Sequence, residues 1–159
     1  MKRLKSIQKV TIGFFSLLLI MGSAQAAPYQ NRHDYNGSYC NPLEPADAVH
    51  FSRTNAGITN NSLNYKYISC PVLVDENKVT TGTFTTWIHY TGTGKVECWI
   101  HSINSNGSTI QTMSRWRNNS GWLPISGLTN EVRWGSYNIS CGVPAGGTIN
   151  MIAVNEKAQ

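Results

Sequence analysis

Charge is scarce in this chain: Asp, Glu, Lys and Arg make up 13% of its 159 residues. Helical patterning is missing too. No window holds a 3.6-residue apolar period over three turns, so amphipathic helices are not expected. No apolar run reaches the roughly 20 residues that span a bilayer. The cysteines form no C-x-x-C pair and have no His doublet nearby, which argues against a zinc site. No G-x-S-x-G is present, which removes the usual serine-hydrolase elbow. The fragment Asp75-Glu76-Asn77 lacks the rest of a calcium loop and reads as a turn.

The basic surplus is local. Four of the thirteen basic residues (Lys2, Arg3, Lys5, Lys9) precede the mostly apolar run 10–21, and Ala24-Gln25-Ala26 follows as a small-x-small site. That order is a secretory signal peptide at 1–26, leaving 27–159 as a single secreted β domain, in the periplasm or outside the cell. Without the leader, nine basic residues face eight acidic ones, a net charge of +1. A chain so nearly neutral has no basic stripe to release counterions from a phosphate backbone, so nucleic acid is not an expected partner. Arg115-Trp116-Arg117 alone is locally basic and reads as a solvated strand end. No membrane span is expected, and the secreted domain is expected to be a monomer.

In an oxidising compartment four cysteines pair as two disulfides. Cys40, Cys70, Cys98 and Cys141 permit three connectivities. The preferred one is Cys40–Cys70 with Cys98–Cys141, because Cys98 (beside Val96 and Ile100) and Cys141 (beside Tyr137 and Ile139) both fall on the apolar register of a strand.

What is plentiful is Gly, Ser, Thr and Asn, mixed with Tyr, Trp, Val and Ile. Short strands and tight turns follow from that mixture. Strands are expected at 49–53, 63–74, 79–90, 95–103, 109–116, 131–141 and 148–155, divided by turn signals such as Asn60-Asn61, Thr91-Gly92-Thr93-Gly94, Asn118-Asn119-Ser120-Gly121 and Pro144-Ala145-Gly146-Gly147. Pro45 opens at most one helical turn. Residues 27–40 are polar and read as a loose N-terminal arm. The fold class is all-β, an antiparallel β-sandwich of seven or eight strands.

The central stretch 84–102 reads as a hairpin. Alternation places Phe84, Ile88, Tyr90, Val96, Cys98 and Ile100 on one face and Trp87, His89, Glu97, Trp99 and His101 on the other. With the turn centred on Thr93, Ile88 opposes Cys98, Trp87 opposes Trp99 and His89 opposes Glu97. The Cys98 face belongs to the core. The other face has two readings. As a ligand platform, flat indoles stack on sugar rings while His and Glu supply directed hydrogen bonds. As plain packing, it is covered by a loop or by Trp116 and Trp122. His89, His101 and Glu97 are the one conceivable metal set, and they read better as surface groups. No metal or cofactor is expected.

Cys40, Gly57-Ile58-Thr59-Asn60, Cys70-Pro71-Val72-Leu73-Val74-Asp75, Val96-Glu97-Cys98-Trp99-Ile100, Gly107 and Tyr137-Asn138-Ile139-Ser140-Cys141-Gly142-Val143-Pro144 form an ordered pattern, closed by Ile149 and Glu156. It resembles a broad group of small exported bacterial four-cysteine β-sandwich proteins of unknown function. The resemblance spans nearly all of residues 27–159 and implies a disulfide-bonded sandwich. It implies no catalytic or binding residue, and Trp87 and Trp99 fall outside it.

The first functional expectation is an exported, non-enzymatic binding module for a glycan or a cell-envelope component, with Trp87, Trp99, His89, Glu97 and His101 as the ligand residues. One alternative is a small secreted hydrolase using Glu97 with His89 or His101. Another is a structural or inhibitory envelope protein that recognises a partner protein through a strand edge.

Overall fold

A computed structural model describes residues 30–72, 83–129 and 136–157. The expected leader at 1–26, the expected turn at 75–77 and parts of three expected strands (73–74, 79–82 and 131–135) lie outside the described residues. Eleven strands are present among those described: β1 (Gln30–Asn36), β2 (Asn41–Pro42), β3 (Phe51–Thr54), β4 (Gly57–Asn60), β5 (Lys66–Val72), β6 (Thr83–Thr91), β7 (Lys95–Ile103), β8 (Thr109–Asn118), β9 (Gly121–Thr129), β10 (Ser136–Val143) and β11 (Thr148–Lys157). Helical structure there is limited to two short 3-10 segments, Gly37–Tyr39 and Pro45–His50. No helix among these residues is long and apolar enough to cross a membrane.

The strands form two antiparallel sheets. Sheet A runs β3-β4-β11-β6-β9, with β1 also paired to β11; sheet B runs β2-β5-β10-β7-β8. Their inner faces enclose one core, which includes Ile58, Ile88, Tyr90, Ile125, Ile149 and Ile152 from sheet A and Ile68, Val96, Ile100 and Ile139 from sheet B. Phe84 of β6 stacks on Tyr137 of β10 across the sandwich, ring centroids 4.4 Å apart. Cys40 is bonded to Cys70 and Cys98 to Cys141, the preferred connectivity. Cys98 and Cys141 are directly opposed on β7 and β10.

One buried polar side chain ties the loops together. Asn60 is fully buried. Its amide donates to the carbonyls of Asn64 and Val143, and its oxygen accepts from the backbone N–H and the hydroxyl of Ser62. With every side-chain bond made, burial of this amide carries little penalty.

Two expectations are corrected. The N-terminal segment is not a loose arm, since β1 pairs with β11 along its whole length. Its backbone completes a sheet edge, which requires little apolar alternation. The hairpin at 84–102 does not form. β6 pairs with β11 and β9, and β7 pairs with β10 and β8, so the Thr91–Gly94 link carries the chain from one sheet to the other. The pairs Ile88/Cys98, Trp87/Trp99 and His89/Glu97 are therefore absent.

Candidate functional site

Alternation within each strand is as expected. Phe84, Ile88, Tyr90, Val96, Cys98 and Ile100 are all buried. Because β6 and β7 lie in facing sheets, their outward side chains point in opposite directions. Trp87 and His89 belong to the outer face of sheet A; Glu97, Trp99 and His101 belong to the outer face of sheet B. The five expected ligand residues form two groups, not one.

On sheet A, directly opposed residues share a face. One row reads Asp34, Ala153, Trp87, Pro124 across β1, β11, β6 and β9. The rows beside it are Arg32, Asn155, Thr85, Ser126 and Asn36, Met151, His89, Trp122. Ala153 is the shortest side chain of the middle row, and the taller neighbours leave a groove above it. This open depression of about 730 Å³ is lined by Arg32, Trp87, Trp122, Pro124, Ala153 and Asn155. Its walls are two indoles and a proline ring; its polar end is a guanidinium and a carboxamide. Trp122 is 43% exposed, and the His89 ring lies 4.8 Å from it, centroid to centroid, at a tilt of 49°. His89 thus supports an indole wall. Arg32 bonds Asp34 through Nε at 2.9 Å as an exposed pair, and the two terminal nitrogens of its fork carry further donors.

On sheet B the corresponding rows are Tyr67, Gly142, Glu97, Trp116; then Ser69, Ser140, Trp99, Ser114; then Pro71, Asn138, His101, Thr112. Tyr67 sits 6.3 Å from Trp99 and 5.4 Å from Tyr65, centroid to centroid. Tyr65 lies flat on the strand at Gly142, where a Cβ would overlap its Cε1, Cζ and Oη. Desolvation there raises the Tyr65 hydroxyl to about 12, helped by the neighbouring Tyr67 and Glu97. Lys95 Nζ bonds Glu97 at 2.8 Å and stands 5.5 Å over the Trp116 ring. His101 is held between the hydroxyls of Thr112 and Ser140, each at 3.0 Å, and burial lowers its pKa.

No acid–base pair for hydrolysis joins His89 to Glu97, since opposite faces of the sandwich separate them. His101 and Glu97 share a face of β7 with Trp99 between them, and both ring nitrogens of His101 are already bonded. Among the described residues no three His, Cys, Asp or Glu side chains converge to hold a metal.

Arg32, Trp122, Pro124, Ala153 and Asn155 were not expected as ligand residues, nor were Tyr65, Tyr67 and Trp116. Trp122-Leu123-Pro124-Ile125 does carry a period-2 signal. Pro124 weakens it, and Pro in a strand marks an edge, which is where β9 lies.

No family model and no curated protein matches the chain. Among solved structures it is similar to the C-terminal CBM6 of LamC, a marine laminarinase from Zobellia galactanivorans (13% identity, TM-score 0.44, 78% of this chain and 98% of that one). It is similar also to CBM35 from Paenibacillus barcinonensis (17% identity, TM-score 0.43, 80% and 99%), and to TmCBM61 in complex with β-1,4-galactotriose (10% identity, TM-score 0.35, 79% and 84%). At these values no site carries over, and the groove is read from its own residues.

Proposed function

We propose that this protein is an exported, non-enzymatic binding module that holds a glycan in the groove of sheet A. The observation that carries the reading is the pairing of Trp87 and Trp122 over the Ala153 floor, with Arg32 and Asn155 at one end. Indole faces receive the apolar C–H faces of sugar rings, while guanidinium and carboxamide donors meet hydroxyls along the ring edge. Export is proposed from the leader at 1–26 and agrees with two disulfides that persist only in an oxidising compartment.

The test is a fluorescence and calorimetric titration against laminarin, β-1,4-galactan, xylan and peptidoglycan fragments. Truncating a desolvated aromatic anchor costs on the order of 2 kcal/mol, so Trp87→Ala or Trp122→Ala singly is expected to weaken the best ligand about thirtyfold, and the double variant more, while the circular dichroism spectrum holds. A folded double variant that binds as the wild type does defeats the groove. A wild type that binds none of the panel defeats the glycan reading.

A further inference from the structure

We propose that the outer face of sheet B is a second ligand surface, taking an uncharged glycan chain, so that one copy of the protein bridges two glycan strands. The proposal stands on residues separate from the groove.

Exposed aromatic area is concentrated on this face. Tyr65, Tyr67 and Trp116 are 37%, 44% and 56% exposed, and Trp99 stands among them. Grouped apolar exposure of this kind marks a binding surface more often than solvent-facing decoration does. The neighbours of Trp99 are short: Ser114 on one side, Ser140 and then Ser69 on the other. An indole between serines keeps its edge and part of its face accessible. Tyr67 continues the aromatic strip at 6.3 Å, and Gly142 lets Tyr65 lie down on the sheet and extend it.

The charge on this face names the occupant. Lys95 and Glu97 cancel as a 2.8 Å pair. Among the described residues of this face the remaining polar groups are neutral: the hydroxyls of Ser69, Ser114, Ser140 and Thr112, the amide of Asn138, and a His101 that burial disfavours from carrying a proton. Ser69 and Asn138 are bonded to each other at 2.9 Å, and His101 is bonded to Thr112 and Ser140 at 3.0 Å, so these groups are held in place before a ligand arrives. A face with flat rings, fixed hydroxyls and no net charge offers nothing to a phosphate polymer; it matches a polyhydroxylated, uncharged chain. The groove faces the opposite way across the sandwich, so both ligands fit at once.

The test is bridging. Xylan, laminarin and β-1,4-galactan are each fixed to beads, the folded secreted chain is added, and capture of the same polysaccharide in fluorescent soluble form is measured. Wild type is expected to capture it. Trp99→Ala with Tyr67→Ala, and separately Trp87→Ala with Trp122→Ala, are each expected to remain on the beads and to capture about tenfold less or lower. Trp116→Ala, at an exposed position, is the second sheet B variant should the first lose its fold. Bridging that survives the sheet B variants comes from one site per copy in a dimer and overturns the proposal. Loss of bead binding in the groove variant alone also overturns it and leaves the groove as the single site. Loss in the sheet B variant alone overturns both the bridge and the groove reading. No binding by the wild type overturns both.

Discussion

Removing Cys98–Cys141 should cost more stability than removing Cys40–Cys70, and the structure sets the size. Cys98 and Cys141 are opposed on adjacent strands with Cα atoms 4.1 Å apart, and neither is exposed. Their neighbours on β7 and β10 stay laddered without the bond, so the main loss falls on the unfolded chain, which regains the freedom of the loop. For a separation of 43 residues the chain-entropy account gives about 4 kcal/mol; for the 30 residues between Cys40 and Cys70 it gives about 3.6 kcal/mol. Each double alanine variant also deletes two buried sulfurs, adding roughly 1 kcal/mol apiece to both losses, so the difference between the bridges is the loop term alone, about 0.4 kcal/mol. A domain of about 130 residues unfolds with an entropy near 270 cal/mol/K, so the entropic part alone lowers Tm by about 15 °C. Thermal circular dichroism of the two double variants, with peptide mapping of the non-reduced wild type, checks this. A Tm loss under about 5 °C for Cys98→Ala with Cys141→Ala, or a map joining Cys98 to another cysteine, would refute the reasoning.

Three further outcomes are expected. Tyr65, held up to about 12, should ionise about two pH units above an ordinary tyrosine in a 295 nm titration. Its folded pKa exceeds the unfolded one, so the folded state holds the extra proton and this contribution is present below pH 10 and is lost as pH rises through 12; Tyr65→Phe should flatten that part of the stability profile, and an unchanged slope contradicts the assignment. Gly142→Ala should lift Tyr65 off the strand, cost about 1–3 kcal/mol and return the late ionisation toward 10; a variant with the wild-type titration shows that the ring does not rest there. Asn60→Ala should cost about 2–4 kcal/mol in urea unfolding, because it strands the buried carbonyl of Val143 and removes the bonds that tie Asn64 and Ser62 to the loop; an unchanged midpoint refutes the anchoring role.

The parts of the fold that read well from sequence are those fixed by local chemistry. β7 begins and ends where expected, at Lys95 and Ile103, because Val96, Cys98 and Ile100 alternate with charged and aromatic residues between a Thr/Gly link and an Asn/Gly turn. The disulfide pairing followed from the same alternation at Cys98 and Cys141. The missed strands are those whose stability is supplied by a neighbour. β1 is almost wholly polar and exists as the partner of β11; β2 is two residues long; β4 is four residues long, held between β3 and β11; β9 carries Pro124 in its interior. Three of them generate no apolar period of their own, and in β9 the proline weakens the one there is, which is why seven or eight strands were expected where eleven form among the described residues.

The site was half legible for a related reason. Period-2 alternation assigns each side chain to the inside or the outside of its strand, and that assignment is the same whether two consecutive strands join as a hairpin in one sheet or as an arch between two. Both arrangements bury Ile88 and Cys98; only the hairpin brings Trp87 beside Trp99. The choice rests on the link. Gly92 and Gly94 have φ of +148° and +93°, and a Cβ at Gly92 would come within 2.6 Å of the Tyr90 hydroxyl and 3.0 Å of the Gly147 backbone. The Tyr90 hydroxyl donates to the Thr93 carbonyl at 3.0 Å, holding the link across the end of the core. A Thr-Gly-Thr-Gly stretch satisfies a hairpin turn as readily as this crossing. The decision is made by what β6 and β7 find as partners, β11 and β10, from 50 and more residues away in some pairs and closer in others. The two tryptophans were therefore correctly sent outward, and long-range pairing sent them to opposite sides. One aromatic platform on a hairpin becomes two surfaces on a sandwich, which is the geometry a bridging module requires.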